Sequence, residues 1–314
     1  MQSNLTLLQK ADLDLAQIAA GGILQTQQAK QFMILAIEEP VMLGQVAVTP
    51  MTGPVEERDK MRFSGRVLRA GAEATALPLA ARAVPALSLF NLTSVLYKAE
   101  VRITDEVLED QIERGTFKNT VTAELAKAIG RDMEHVAING DTTTVVTDLE
   151  TQLLSTQDGW LALVNAHTVA GGDAQLNSDL LRNALTTLPQ EWRRDRSMLR
   201  YFTNTFAEIR YTDDERGRMD GAGTRIHDGN WTPHYMKVPV VGVDMFPDNI
   251  GALSRTAVIL SNPKNLVVGF QRKVKVELDR DVTAGVTIVV ATVRFAVACA
   301  ETDAAVRVDA VVGQ

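Results

Sequence analysis

The sequence predicts an α+β protein, and three observations carry that prediction. Apolar residues at helical spacing run through the middle of the chain: Phe117, Val121, Leu125, Ala128, Ile129, Met133, Val136 and Ala137. A period-two pattern takes over toward the C-terminus. There Lys273-Val274-Lys275-Val276-Glu277-Leu278 puts valines and leucine on one face and charges on the other. Between residues 46 and 98 the chain is rich in turn residues, with short alternating segments and no long helix.

The bulk numbers bound the reading. A chain of 314 residues has room for about two domains at roughly 100–200 residues each. With 46% hydrophobic and 23% charged residues it can bury an ordinary globular core. The net charge of −7, from 32 basic and 39 acidic residues, argues against a dedicated nucleic-acid reader, which would be basic. One cysteine, Cys299, cannot form an internal disulfide, and between Ala298 and Ala300 it reads as a buried structural thiol in a reducing compartment. The opening MQSNLTLLQKAD lacks the basic flank and apolar core of a secretory signal. The apolar run Val286–Ala300 is broken by Thr and Arg294 and is too short and polar to span a bilayer.

Taken in order, Leu5, Leu8, Leu15, Ile18 and Ala19 space loosely as one short helix within residues 3–20. Gln-rich chain follows, so residues 1–45 are predicted to be an arm. Residues 46–98 alternate from Met61 to Val67 and again from Leu89 to Ile103, and read as a long two-stranded excursion. An isolated hairpin is marginal in water, so this one is expected to pack on another chain or domain. Thr104 or Asp105 is predicted to cap a short helix that Gly115 ends. The long helix starts near Thr116, and about 24 residues at roughly 1.5 Å each make a rod of ~36 Å. Gly140 suits the left-handed position after such a helix.

Asn177-Ser178 is predicted to cap a helix carrying Leu180, Leu181, Ala184, Leu185 and Leu188 on one face, and Pro189 marks its end or a kink. A strand at Met198–Thr203, a helix at Phe206–Arg216, a Gly-rich charged loop at Arg216–Asn230 and a buried strand at Pro239–Val243 follow. Alternation through residues 256–312, including Val306–Val312, places these strands in one core with the long helix. The residues between them form an insertion in that core.

Clusters with the look of chemistry dissolve on inspection. In GRDMEHVAINGD, Glu134 and His135 lie off the apolar stripe and are expected to face solvent or a neighbour. Adjacent helical residues point apart and do not converge on one ligand. There is no His-Glu-x-x-His pattern, no Gly-x-Gly-x-x-Gly or phosphate loop in GRMDGAG, and no Gly-x-Ser-x-Gly elbow. His227, Asp228, His234 and Asp244 match no metal-ligand spacing, which leaves a hydrolase built on that loop as a remote alternative. Arg193-Arg194-Asp195-Arg196 and the charges from Arg58 to Arg69 mix signs and read as interfaces or solvated faces. No catalytic, cofactor or metal residue is predicted.

The order of elements resembles the tailed-phage major capsid proteins of the Hong Kong 97 fold, over roughly residues 30–312. YKAEVRITDEVLED is similar to that family's strand running into an acidic helix start. FKNTVTAELAKAIGRDMEHVAINGD resembles its spine helix. LLRNALTTLPQEWRRDRSMLRYFTNTFAEIR looks like the helix, Leu-Pro, strand and helix of its axial domain. VPVVGVDMFPDN and SNPKNLVVGFQRKVKVELDRD resemble the small strand that follows and the returning peripheral strands.

The resemblance implies a shell protein that is not an enzyme and has no cofactor. It implies an N-terminal arm at 1–45, an extended loop at 46–92, a peripheral domain at 93–145 and 261–314, and an axial domain at 146–260. Copies of the chain are the expected partners, as pentamers and hexamers in a virion assembled in the host bacterial cytoplasm, with no membrane. A portal protein, a decoration protein and non-specific contact with packaged double-stranded DNA are further implied. The length ahead of the extended loop and the initiator Met1 point to a separate scaffolding protein. Arg58, Lys60, Arg62, Arg66, Arg69 and Glu134 are the expected inter-subunit contacts. Some members cross-link a loop lysine to a neighbour's asparagine. Lys60 is the lysine of residues 46–90, and Asn262 or Asn265 would be the acceptor, with a plain salt bridge as the alternative. An encapsulin-like nanocompartment is the alternative within the same fold.

Overall fold

The computed structural model of the chain describes residues 12–13, 40–63, 66–71, 73, 76–78, 80, 82–105, 117–216, 233–250 and 254–313. Two sheets form its body. In the first, β12 (Val286–Cys299) lies in the middle, antiparallel to both β5 (Val95–Thr104) and β11 (Leu266–Asp281). The edges are β1 (Asp12–Leu13), parallel to β5, and β2 (Ala47–Pro50), parallel to β11. The order is β1-β5-β12-β11-β2.

A strand covered on both faces has no reason to alternate apolar with polar, and VTIVVATVRFAVAC hardly does. Its side chains still point alternately. Phe295 and Cys299 join a core that includes the long helix α1 (Phe117–Asn139), while Ala296 and Ala298 pack with Met51 and Leu92 on the opposite face. Helix α1 occupies the predicted span and buries Ile129, Val136, Ala137 and Ile138, with Leu125 and Met133 packed alongside.

The end of α1 differs from expectation in two ways. Gly140 has no positive φ. Its value is close approach: a Cβ there would sit 2.3 Å from the Gln157 carbonyl oxygen and 3.0 Å from the Gly159 nitrogen. The Gly159 N–H donates to the Gly140 carbonyl at 2.8 Å, which ties the helix end to the segment joining α2 (Leu149–Leu154) and α3 (Trp160–Leu163). Glu134 was expected to face solvent or a neighbour and is instead buried, 3% exposed. Its carboxylate accepts hydrogen bonds from the backbone N–H of Met42 (2.5 Å) and Leu43 (3.1 Å). The incoming chain covers a helix face that the apolar stripe alone marks as open.

The second sheet has the order β6-β13-β10-β7-β9-β8. Its strands are β6 (Thr168–Ala174), β7 (Arg200–Thr203), β8 (His234–Tyr235), β9 (Val238–Gly242), β10 (Arg255–Ser261) and β13 (Ala305–Val312). One face packs on α4 (Ser178–Thr187), which the short α5 (Gln190–Arg193) follows, and on α6 (Thr205–Arg216), through Leu181, Leu185, Tyr201 and Tyr211. The other contributes Phe202, Ile259 and Ala305 to the core shared with the first sheet. Asn177 caps α4 as the sequence predicts, accepting from the Leu180 N–H at 2.9 Å.

The expectation that Val306–Val312 joins the core of the long helix needs correction. β13 pairs with β10 and β6 in the second sheet. Period two identifies a strand but not its sheet, and β10, buried on both faces, needs a neighbour on each side. The helix expected within residues 3–20 falls mainly outside the described residues, and Asp12–Leu13 are strand. The short helix at 104–115 and the loop at 216–230 also fall largely outside them.

Candidate inter-subunit surface

One strand pair is hydrogen-bonded to neither sheet. Among the described residues, strands β3 (Val55–Arg62) and β4 (Ala86–Thr93) pair only with each other, from Val55 opposite Thr93 to Arg62 opposite Ala86. The two-stranded excursion is therefore present, and it carries apolar residues on both faces, with Leu92 buried and Phe90 half-buried against the first sheet. Glu56, Arg58 and Lys60 are half-buried toward the body, while Met61, Leu87 and Leu89 point outward. Met61 lies opposite Leu87 in the register, and the two are 68% and 73% exposed. Leu68, beyond β3, is 91% exposed. Contiguous exposed apolar residues of this kind mark a surface that something else covers.

The cations predicted as inter-subunit contacts divide into two groups. Arg58 pairs with Glu56 at 2.7 Å and donates to the Pro50 carbonyl at 3.2 Å. Lys60 donates to the Ala300 carbonyl, lies 3.4 Å from the Glu301 carboxylate and sits 5.9 Å from the centre of the Phe90 ring. Arg62 pairs with Glu191 and lies 5.4 Å from the Trp192 ring centre. These three hold the hairpin to its own subunit. Arg66 and Arg69 are exposed beyond the end of β3. Glu134 is used inside the subunit, as described above. Sequence reasoning missed Glu191, Trp192 and Glu301 as the hairpin's partners. They come from distant parts of the chain and carry no periodic signal.

Within the subunit Lys60 makes the salt bridge, to Glu301. The Asn265 side chain donates to the Glu301 carbonyl and accepts from the Glu301 N–H, both at 2.8 Å. The Asn262 oxygen accepts from the Lys264 N–H at 3.0 Å. Cys299 is buried as expected, and burial pushes its thiol up to about 11.

The described histidines do not gather. His135 approaches Glu150 at 4.0 Å, with burial lowering its pKa from the usual histidine value, and His167 approaches Asp303 at 3.9 Å. His234 is exposed on β8, and the Asp244 carboxylate accepts from the Thr205 hydroxyl at 2.6 Å. His227 and Asp228 lie outside the described residues. Among the described residues, no three His, Cys, Asp or Glu side chains are placed to hold a metal ion, and no helix is long and apolar enough to cross a membrane.

Known proteins share this arrangement. The chain is 27% identical over 310 residues to the prophage capsid protein YqbE of Bacillus subtilis (strain 168), covering 97% of this chain and 98% of that one. The solved capsid of an empty GTA particle matches with a TM-score of 0.62 at 16% identity, over 95% of this chain and 99% of that one. The holo-SrpI encapsulin of Synechococcus elongatus has the same fold, with a TM-score of 0.59 at 12% identity and 96% of each chain covered. The model of the phage capsid family matches residues 20–310. With nearly its whole length inside that match, the chain belongs to the phage capsid family, whose members are structural shell proteins.

Proposed function

We propose that copies of this chain form pentamers and hexamers that close into the icosahedral shell around the genome of a tailed bacteriophage. The exposed apolar residues of the hairpin carry the reading. Met61, Leu87 and Leu89 are exposed at a place no other described strand pairs with, and a neighbouring copy covers them in the shell. Each contact can be weak, because closing a shell makes every further contact effectively intramolecular.

In this reading residues 1–45 are an arm tying capsomers together and residues 46–92 the extended loop lying over a neighbour. The first sheet with α1 is the peripheral domain and the second sheet with α4 and α6 the axial one. Arg66 and Arg69 reach the neighbouring copy, whereas Arg58, Lys60 and Arg62 set the angle at which the hairpin leaves its own subunit. A portal protein, a separate scaffolding protein and a decoration protein complete the partner set. Packaged double-stranded DNA touches the acidic chain only non-specifically, and assembly takes place in the host bacterial cytoplasm.

Negative-stain electron microscopy of the purified protein, with its mass in solution, tests this. Closed shells or rings of five and six are expected. A monomer under all assembly conditions, including with neighbouring gene products added, contradicts it. The encapsulin-like reading has the fold match in its favour. Particles isolated from cells decide between the two: DNA inside supports the phage shell, and an enzyme cargo without DNA supports the nanocompartment.

A further inference from the structure

The face of the first sheet turned away from α1 carries three cations, Arg272, Arg294 and Lys98, that no ion pair engages among the described residues. The register places them together. Arg294 on β12 lies directly opposite Arg272 on β11 and beside Leu96 on β5. Two residues back along β12, Thr292 lies between Lys275 and Lys98. Like charges directly opposite each other in a sheet are destabilising. Irregularities in the β11 register on either side of Arg272 set this pair there, and such bulges re-aim side chains. Arg272 donates to the Thr292 hydroxyl and Arg294 to the Gln271 side-chain oxygen, each at a long 3.4 Å. The Arg294 Nε is buried with no hydrogen-bond partner among the described residues. The next row along the face is occupied with itself. Glu277 holds Lys275 at 2.5 Å, with Arg272 a weaker influence on it, and Glu100 holds Arg102 at 2.8 Å.

The outward face of the hairpin is the complement. Glu57 and Asp59 are exposed there on β3, and neither has an ion pair among the described residues. Val55, Met61, Leu87, Leu89, Asn91 and Thr93 complete that face, none of them a cation. Two residues along a strand span about 7 Å, so the two carboxylates are spaced like the rows of Arg294 and Thr292. Apolar residues flank both patches: Leu96, 40% exposed, with half-buried Ile288 and Val290 on the sheet, and Met61, Leu87 and Leu89 on the hairpin. A subunit does not bring its own two patches together. Its hairpin leaves the sheet over Ala296 and Ala298 and runs on to Ala300 and Glu301, away from Arg294 and Thr292. A ring of five or six needs a heterologous contact, in which two different patches of the subunit meet.

We propose that the sheet face of Arg272, Arg294 and Lys98 receives the outward face of the hairpin from the next copy in the ring, with Glu57 and Asp59 of that copy against the cations. This rests on the capsomer reading above and names the surface on which the hairpin lies.

Charge reversals in the full-length chain test it. Glu57→Lys with Asp59→Lys sets cation against cation, and Lys98→Glu with Arg272→Glu sets acid against acid. Each pair alone is expected to lower ring and shell yield about tenfold or more, since the contact recurs at every interface of a multivalent ring. All four substitutions in one chain exchange the charges of the two patches. That combined variant is expected to recover most of the lost yield.

Melting curves report the fold of each free subunit. Where a reversed subunit melts early, the neutral pairs Glu57→Gln with Asp59→Asn and Lys98→Gln with Arg272→Gln carry the test, each with a yield below that of the unmutated protein. The proposal is overturned if either pair melts and assembles like the unmutated protein. It is also overturned if the combined variant melts normally and assembles no better than the two pairs. Normal assembly with lost retention of a short DNA duplex would overturn it and reassign the sheet face to nucleic acid. Absence of rings from the unmutated protein would instead remove the capsomer reading itself.

Discussion

The two-sheet body and the β3–β4 hairpin use similar residues to opposite ends. In the body, Phe202, Ile259, Leu181 and Val306 are fully buried, and the chain meets its own needs. In the hairpin, Met61, Leu87 and Leu89 face outward and Lys60 and Arg62 face the body. A strand pair normally buries its apolar face. The hairpin is anchored on the body by Leu92 and Phe90 together with its charged contacts, and its outward apolar residues have no cover among the described residues.

That contrast can be broken by substitutions, beginning in the body. Phe202→Ala empties a site at the junction of the two sheets and should cost about 3–5 kcal/mol in denaturant unfolding of the free subunit. A loss below 1 kcal/mol would mean that the sheets do not share one core. Gly140→Ala drives a methyl into the Gln157 carbonyl and should cost about 1–3 kcal/mol. An unchanged melting curve would show that the helix end moves freely against the segment before α3.

Glu134→Gln weakens the acceptor that holds Met42 and Leu43, at a cost of about 1 kcal/mol. The pH dependence has a definite sign. Burial raises the Glu134 pKa above the ordinary glutamate value, with the backbone donors lowering it in part. The native state therefore binds more protons than the unfolded state just above that ordinary value. The stability linked to this proton is fully present below the unfolded pKa and is lost as pH rises through the folded one. Measured against Glu134→Gln, the unmutated subunit should gain stability on acidification through that window. A difference between the two that does not change with pH would contradict the assignment.

The hairpin should respond more weakly. Lys60→Gln with Arg62→Gln removes two partly exposed ion pairs, together worth about 1 kcal/mol or less. Its visible effect should be faster proteolysis at residues 66–85 in the free subunit. Serine at Met61, Leu87 and Leu89 should shift subunit stability by no more than about 0.5 kcal/mol per site, as for surface positions, while particle yield collapses. Equal losses of subunit stability from Leu87→Ser and from Phe202→Ala would erase the distinction between the two regions.

Legibility in the sequence follows the same division. The span of α1, the Asn177 cap and the alternation of β11 were readable because local periodicity and capping chemistry encode them. The sheet that receives β13 was not, since pairing partners over long separations leave no local trace. Glu134 was misread for a related reason: a chain segment 92 residues away in sequence covers its side of the helix. The hairpin was recognisable as strand pairs, but its exposed apolar patch appears only once the register sets Met61 opposite Leu87. Of the predicted contact residues, Arg66 and Arg69 lie exposed, and the partners of Lys60 and Arg62 needed the folded chain to be seen.

Hydrogen exchange of residues 55–62 and 86–93, compared between free subunits and assembled particles, tests the central claim most directly. The hairpin amides should exchange quickly in the subunit and be strongly protected in the particle, while the amides of β10 and β12 stay protected in both. Equal hairpin protection in the two states would contradict a surface completed by neighbouring copies.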